Sequence, residues 1–221
     1  MPIKKIKHVI WDWNGTILND SHICVEVINE MLANRNLPGI DNEKYAAAMD
    51  FPIIILYKRV GFDFGNETFQ KVADEFTEIY EKRKFECELR NEFVKTFGFL
   101  KKNDITMSIL SAAQHKYLAQ ALKHFGVESY FDYVFGLEDN HATSKVENGL
   151  QLMGKLDIEK ECCLMVGDSP HDYEVAAKMG IECWLFPSGH STVEKLRKTE
   201  AKVFESTEKL ISELNNVVST I

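Results

Sequence analysis

From about residue 90 onward, short apolar runs alternate with stretches in which apolar residues recur at the helical period. A short apolar run suits a buried strand, and a helix is the usual link between two parallel strands. The pattern therefore predicts an α/β fold with a Rossmann-like parallel sheet and right-handed crossovers. The predicted strands are Ile105–Leu110, Tyr133–Leu137, Cys162–Val166, Glu182–Phe186 and a short Lys202–Phe204. The predicted helices between them cover residues 114–125, 144–155 and 171–179.

An N-terminal apolar run, residues 6–12, adds a first strand to this sheet. Between this strand and the others, residues 20–86 have helical periodicity and no convincing strand. We therefore expect a sheet-containing core from residues 1–18 and 87–221, and an inserted helical unit from residues 19–86. This unit leaves the core just after the first strand, so we expect it to cover the ligand-binding edge of the sheet and act as a lid.

Charge and composition narrow the range of partners. The chain has 26 basic and 34 acidic residues, a net charge of −8, which disfavours nucleic acid and anionic membranes but allows a small phosphorylated metabolite. No apolar run approaches the roughly 20 residues of a membrane helix, and the N-terminal apolar run is too short for a signal sequence. The five cysteines lack metal-ligand spacing and are expected to be reduced and buried. These features predict a soluble cytoplasmic protein, either a monomer or a homodimer.

Several predicted strands are followed by a charged or polar residue at the C-terminal end. Asp12 follows the first strand, Ser111 the second and Asp168 the fourth, while Lys145 begins the helix after the third. Parallel strands bring these ends to one edge of the sheet, where they would form one pocket. A carboxylate can attack phosphorus, and Mg²⁺ prefers carboxylate and phosphate oxygens. Lys145, Ser111 and backbone N–H groups would hold the phosphoryl oxygens, so the set predicts phosphoryl transfer with Asp12 and Asp168 as metal ligands.

The order of these motifs resembles the haloacid dehalogenase-like hydrolase superfamily, in its phosphoglycolate phosphatase-like branch. The resemblance rests on Asp12–Thr16, Ser111, Lys145 and Asp168–Asp172, and it covers nearly the whole chain. It implies a Mg²⁺-dependent phosphatase in which Asp12 is both nucleophile and metal ligand, and in which the inserted unit is a helical cap. The implied metal ligands are Asp12, the backbone carbonyl of Asn14, Asp168 and, as a ligand or supporting acid, Asp172. The implied phosphate-binding residues are Gly15, Thr16, Ser111, Ala112 and Lys145.

Asn14 departs from the pattern of that family. Its phosphatases usually carry an aspartate at this position, which protonates the leaving alkoxide and later activates water. An amide cannot transfer protons near neutral pH, and the loss of such a group typically costs about 10²–10⁴-fold in rate. The expected catalytic residues are Asp12, Asn14, Ser111 and Lys145. Because Asn14 cannot transfer protons, we predict slow turnover of alkyl phosphates and better turnover of acyl or aryl phosphates. A second departure is Val146, where the family usually has proline after the lysine.

Two alternatives remain open at this point. The first is a phosphonatase-type hydrolase, which would use a lysine of the cap, Lys44 or Lys58, to form a Schiff base. Trp13 is compatible with that branch. The second alternative is a catalytically impaired protein that binds a phosphorylated ligand without turning it over.

Overall fold

The computed structural model describes residues 5–138 and 144–219. Residues 1–4, 139–143 and 220–221 of the expected core lie outside this part. In chain order, the described strands are β1 (His8–Trp11), β2 (Leu18–Asn19), β3 (Glu88–Leu89), β4 (Thr106–Gln114), β5 (Tyr133–Leu137), β6 (Cys163–Gly167), β7 (Glu182–Leu185) and β8 (Lys202–Val203). The described helices are α1 (Ser21–Ala33), α2 (Asn42–Ala48), α3 (Ile54–Val60), α4 (Phe69–Arg83), α5 (Asn91–Lys102), α6 (His115–His124), α7 (Lys145–Lys155), α8 (Pro170–Met179), α9 (Val193–Leu196) and α10 (Thr207–Ser219).

The main sheet has the strand order β5-β4-β1-β6-β7-β8, and each of its neighbouring pairs is parallel. This confirms the predicted α/β fold with a Rossmann-like parallel sheet. The central strand β1 is buried along its whole length, as expected of a parallel sheet covered on both faces. Because successive side chains of a strand alternate between faces, Trp11 packs against Phe93 and Phe97 of α5, while Ile10 belongs to a separate apolar cluster on the other face.

Helices α1 to α4 follow β2 and precede β3. The two short strands pair antiparallel, with Leu18 opposite Leu89 and Asn19 opposite Glu88. Chain entry into the helical segment and chain exit from it therefore lie side by side. Helix α1 packs against α4 along its apolar side. Within the described residues, no helix combines the length and apolar character needed to cross a lipid bilayer.

Strand β4 is longer than the sequence pattern predicts. Its regular pairing with β5 ends at Leu110, but the strand continues to Gln114 after a register shift. Ser111 therefore lies in the irregular end of the strand rather than in a loop after it. This end projects beyond Trp11, which pairs with Ile109, so Ser111 still reaches the C-terminal edge of the sheet.

Candidate active site

Asp12 and Asp168 follow the neighbouring strands β1 and β6. Trp11 is paired with Val166, and the backbone N–H of Asp12 donates to the carbonyl of Val166 at 2.9 Å. Both carboxylates are buried, with 6% exposure for Asp12 and 2% for Asp168. The structure thus places these two sequence-predicted residues together at the C-terminal edge of the sheet.

Lys145 links the nucleophile candidate to a third carboxylate. It is the first residue of α7, which Ser144 and Glu147 begin with a reciprocal pair of capping hydrogen bonds. Its Nζ donates to Oδ1 of Asp12 at 2.6 Å and to Oδ1 of Asp172 at 2.5 Å. Burial alone would lower the pKa of Lys145, but the two carboxylates raise it above its ordinary value, so the buried amine carries its proton.

Asp172 ties Lys145 to the start of α8. Its Oδ2 accepts from the hydroxyl of Ser169 at 2.7 Å and from the backbone N–H groups of Ser169 and Asp168 at 3.0 and 3.2 Å. A side chain at Gly167 would meet the Asp172 carboxylate at 2.4 Å, so the strand can end there only with glycine. Both oxygens of Asp172 are therefore engaged, and its expected role as a metal ligand or supporting acid stays a prediction.

Hydroxyl groups orient the other two carboxylates. Thr16 donates to Oδ2 of Asp12 at 2.9 Å, and Ser188 donates to Oδ2 of Asp168 at 2.5 Å. Burial raises the pKa of Asp12 although Lys145 opposes this effect, and burial likewise raises the pKa of Asp168 although His190 opposes it. Hydrogen bonds therefore fix the orientation of both carboxylates, while burial disfavours their charged forms.

The donor set fits a hard divalent cation. Carboxylate oxygens of Asp12, Asp168 and Asp172 all lie within 4.8 Å of one another, and Mg²⁺ prefers such oxygens. Lys145 contacts two of these three carboxylates, those of Asp12 and Asp172, and a divalent cation would balance further negative charge in the buried cluster. The ligand role expected for the Asn14 carbonyl stays a prediction.

Gly15 brings the loop after β1 close to both Asp168 and the loop after β7. Its φ is +76°, and a Cβ there would lie 2.3 Å from the ring of His190 and 2.4 Å from the carboxylate of Asp168. Glycine is therefore required at this position both by conformation and by space. Its backbone N–H donates to Oδ1 of Asp20 at 2.8 Å, and the contact expected between Gly15 and a phosphate stays a prediction.

The amide group of Asn14 contacts a carboxylate and a tyrosine. Its Nδ2 donates to Oδ2 of Asp20 at 2.7 Å and to the hydroxyl of Tyr80 on α4, also at 2.7 Å. The Tyr80 hydroxyl in turn donates to the same oxygen of Asp20 at 2.6 Å. Asp20 is 1% exposed. Asp20 directly precedes α1, but its side chain makes no capping hydrogen bond to that helix and belongs to this network instead.

A charged histidine completes the network around Asp20. Nε2 of His190 lies 2.9 Å from Oδ1 of Asp20, and Nδ1 lies 2.8 Å from the hydroxyl of Tyr45 on α2. Burial alone would lower the pKa of His190, but the Asp20 carboxylate raises it to about 9, and the charge of His190 helps to lower the pKa of Asp20 to about 2 despite burial. We call Asn14, Asp20, Tyr45, Tyr80 and His190 the Asp20 network.

Cys24 lies beside this network. Its Sγ is 3.8 Å from Oδ2 of Asp20, and together with His190 these two residues offer ligand atoms within 4.8 Å of one another. However, Asp20 already accepts hydrogen bonds from Asn14, Gly15, Tyr80 and His190. Hydrogen bonds therefore satisfy this carboxylate without a cation.

Other residues singled out from the sequence lie in different surroundings. Ser111 is buried, and its hydroxyl accepts from the backbone N–H of Ala113 at 3.1 Å, while Ala112 is exposed. Their expected contacts with a phosphate stay a prediction. Lys44 and Lys58 are exposed side chains of the helical segment, so the structure does not bring either amine to the buried carboxylates.

Sequence reasoning missed the polar partners that come from the loop after β7 and from the helical segment. Ser188 and His190 follow the end of β7, at the same edge of the sheet as Asp12 and Asp168. The strand-end rule that found the two aspartates could therefore have found these residues also. No comparable signal marks Tyr45 and Tyr80, which lie in the apolar stripes of their helices.

The comparisons with known proteins agree on one family. A family model described as haloacid dehalogenase-like hydrolase matches residues 9–186. The chain is 23% identical over 201 residues to a phosphoglycolate phosphatase of Photorhabdus laumondii, covering 88% of this chain and 86% of that protein. It is 25% identical over 191 residues to phosphoglycolate phosphatase 1 of Pseudomonas aeruginosa, covering 83% and 70%.

Solved structures show the same fold. The crystal structure of a predicted phosphatase from Clostridium acetobutylicum superposes with a TM-score of 0.82 at 19% sequence identity, covering 96% of this chain and all of that one. At this identity, the superposition concerns the fold alone.

Proposed function

The chain belongs to the haloacid dehalogenase-like hydrolases, and we propose that it is a Mg²⁺-dependent phosphatase that hydrolyses a small phosphate ester through an aspartyl-phosphate on Asp12. One observation carries this proposal. The Asp12 carboxylate is held by Lys145 at 2.6 Å and by Thr16 at 2.9 Å, beside Asp168 at the ligand-binding edge of the sheet. The phosphoglycolate phosphatase names of its relatives support the same reaction class.

In the first half of the reaction, an oxygen of Asp12 forms a bond to phosphorus. The bond between phosphorus and the leaving oxygen breaks, and the leaving group takes the electron pair. Lys145 opposes the effect of burial on the pKa of Asp12 and is proposed to offset the negative charge of the phosphoryl group. Ser111 lies at the same edge of the sheet and is proposed to hold a phosphoryl oxygen. A bound Mg²⁺ would be held by Asp12, Asp168 and the Asn14 carbonyl and would neutralise charge on the phosphoryl oxygens.

In the second half, water attacks phosphorus and the bond between phosphorus and the Asp12 oxygen breaks. Phosphate leaves, and the carboxylate is regenerated. Asn14 has no proton to supply in the first half and accepts none in the second. We therefore propose that good leaving groups, as in aryl and acyl phosphates, are turned over faster than alkyl phosphates.

The helical segment is proposed to act as a cap over this site, with residues 19–86 as the inserted unit. Contacts between this unit and the core include the Asn14 amide with the Tyr80 hydroxyl at 2.7 Å, Tyr45 with His190, and Phe51 stacked on His171 at 4.5 Å. Asp12 is buried in this arrangement, so substrate entry requires the segment to move away. The segment would close again only over a substrate that fits beneath it, so its residues would select the substrate.

A panel of phosphorylated metabolites and p-nitrophenyl phosphate, assayed with and without Mg²⁺, tests the proposal. We expect phosphate release that needs Mg²⁺ and is lost in Asp12→Asn. Asp157→Asn makes the same chemical change at an exposed position and should retain activity. Binding of phosphorylated compounds without any product would overturn the phosphatase proposal in favour of a binding protein. Borohydride trapping with phosphonoacetaldehyde would instead identify a phosphonatase.

A further inference from the structure

The amide of Asn14 has both of its hydrogens engaged. One is donated to Oδ2 of Asp20 and the other to the hydroxyl of Tyr80, each at 2.7 Å. An amide nitrogen has no basic lone pair, so this group cannot take a proton from water. The side chain is also held in place by these two contacts, which fix its orientation toward the helical segment.

The groups that contact Asn14 are equally occupied. The two oxygens of Asp20 accept from Asn14 and Tyr80 on one side, and from Gly15 and His190 on the other. The Tyr80 hydroxyl donates its hydrogen to Asp20. Behind them, both ring nitrogens of His190 are used, one by Asp20 and one by Tyr45. The carboxylate of Asp20 and the ring of His190 are thus already engaged, and neither is placed to deprotonate a water molecule at residue 14.

We propose that, during turnover, the protein accumulates as the aspartyl-phosphate on Asp12, because the attack of water on this intermediate is its slowest step. The inference rests on the proposed function and concerns which of its two half-reactions limits the rate.

The two half-reactions differ in what they need from residue 14. With an aryl or acyl phosphate, the leaving oxygen is stable as an anion and departs without a proton, so phosphorylation of Asp12 proceeds. In the second half, the oxygen of water must bond to phosphorus and lose a proton to solvent as the bond from phosphorus to Asp12 breaks. A positioned general base accelerates such a step by about 10²–10⁴-fold, and the Asp20 network does not supply one.

Burial of the nucleophile adds to this effect. Asp12 is 6% exposed, and the contacts of Tyr45 with His190 and of Tyr80 with Asn14 join the helical segment to the sheet edge. Water therefore reaches the Asp12 side chain poorly while these contacts persist.

Rapid mixing of the wild-type protein with p-nitrophenyl phosphate and Mg²⁺ tests the inference. We expect a burst of p-nitrophenolate stoichiometric with the protein, followed by a slower steady phase. Acid quenching during the steady phase should yield protein that carries one phosphoryl group by intact mass, and hydroxylamine should remove this group. Asn14→Asp restores a general base, so it should raise the steady rate by up to about 10²–10⁴-fold and reduce the phosphorylated fraction. Asn34→Asp, the same change at an exposed position, should leave both the burst and the phosphorylated fraction as in wild type.

The outcomes separate the two proposals. Steady product release without a burst and without phosphorylated protein would overturn this inference and leave the phosphatase proposal standing. A burst without covalent phosphate would also overturn it, because slow release of product would then explain the burst. Absence of any product, even in the first turnover, would overturn the phosphatase proposal itself. The wild-type measurement decides these cases even if Asn14→Asp fails to fold, which thermal melting would reveal.

Discussion

Nδ2 of Asn14 lies 2.7 Å from Oδ2 of Asp20, so the residue that replaces the expected acid/base is the hydrogen-bond partner of a buried carboxylate. The amide of Asn14 therefore belongs to this hydrogen-bond network and donates to the Asp20 carboxylate. A carboxylate at position 14 could not keep this contact, because two negative oxygens would face each other at hydrogen-bond distance.

This relationship predicts the effect of Asn14→Asp on substrate preference. Repulsion from Asp20 should turn the new carboxylate away from the helical segment, and this carboxylate can then protonate a leaving alkoxide. We expect the first-turnover rate to rise by about 10²-fold or more with alkyl phosphates and to rise less with aryl phosphates. Steady-state and single-turnover assays on both substrate classes provide the measurement. Equal first-turnover effects on the two classes would contradict the leaving-group argument.

Lys145→Met should impair both activity and stability. It removes the ammonium group between Asp12 and Asp172, at 2.6 and 2.5 Å, and leaves two buried carboxylates without their cation. Loss of one partner from a buried ion pair typically costs about 3–5 kcal/mol of the free energy of unfolding. Denaturant unfolding measures this loss, and added Mg²⁺ should recover part of it. Lys178→Met, at an exposed position, should change neither property.

The ion pair of His190 with Asp20 predicts a pH dependence of stability. The pKa of His190 is about 9 in the folded protein against an ordinary value of 6.5, so the folded state binds the proton more tightly. Its stabilising contribution is complete below pH 6.5 and is lost as the pH rises through 9, with a size on the order of 3 kcal/mol. The melting temperature of wild type should therefore fall more steeply over this interval than that of His190→Gln. His22→Gln, at an exposed position, should follow the wild-type curve.

Tyr80→Phe should loosen the helical segment from the sheet edge. It removes the hydroxyl that donates to Asp20 at 2.6 Å in buried surroundings and accepts from Asn14 at 2.7 Å in partly buried surroundings. We expect a loss of about 1–3 kcal/mol in the free energy of unfolding. Hydrogen exchange should increase in α4 and in the loop after β1. Tyr57→Phe removes a buried tyrosine hydroxyl outside the Asp20 network and should have a smaller effect, and equal effects would mean that the contact does not hold the segment.

The sequence predicted the sheet and the meeting of its aspartates because both follow from local patterns. Short apolar runs indicate strands, and the geometry of a parallel sheet then requires Asp12 and Asp168 to lie at one edge. The Asp20 network has no such local signal. Asp20 and Tyr80 are separated by 60 positions in the sequence, and Tyr45 and His190 by 145. These contacts depend on how the helical segment packs. Burial was predictable for the two tyrosines, but the partners of their hydroxyls were not.

The adjacent strands β2 and β3 have a consequence for how this chain can vary. Leu18 is opposite Leu89 and Asn19 is opposite Glu88, so the polypeptide departs from the sheet and returns to it about one strand spacing away. A helical segment of different length could therefore be grafted between β2 and β3 without changing the distance between these two strands. A graft would replace Asp20 as well, so it would need to provide a hydroxyl group in the place of Tyr45 for the buried His190, and acceptors in the places of Asp20 and Tyr80 for the Asn14 amide.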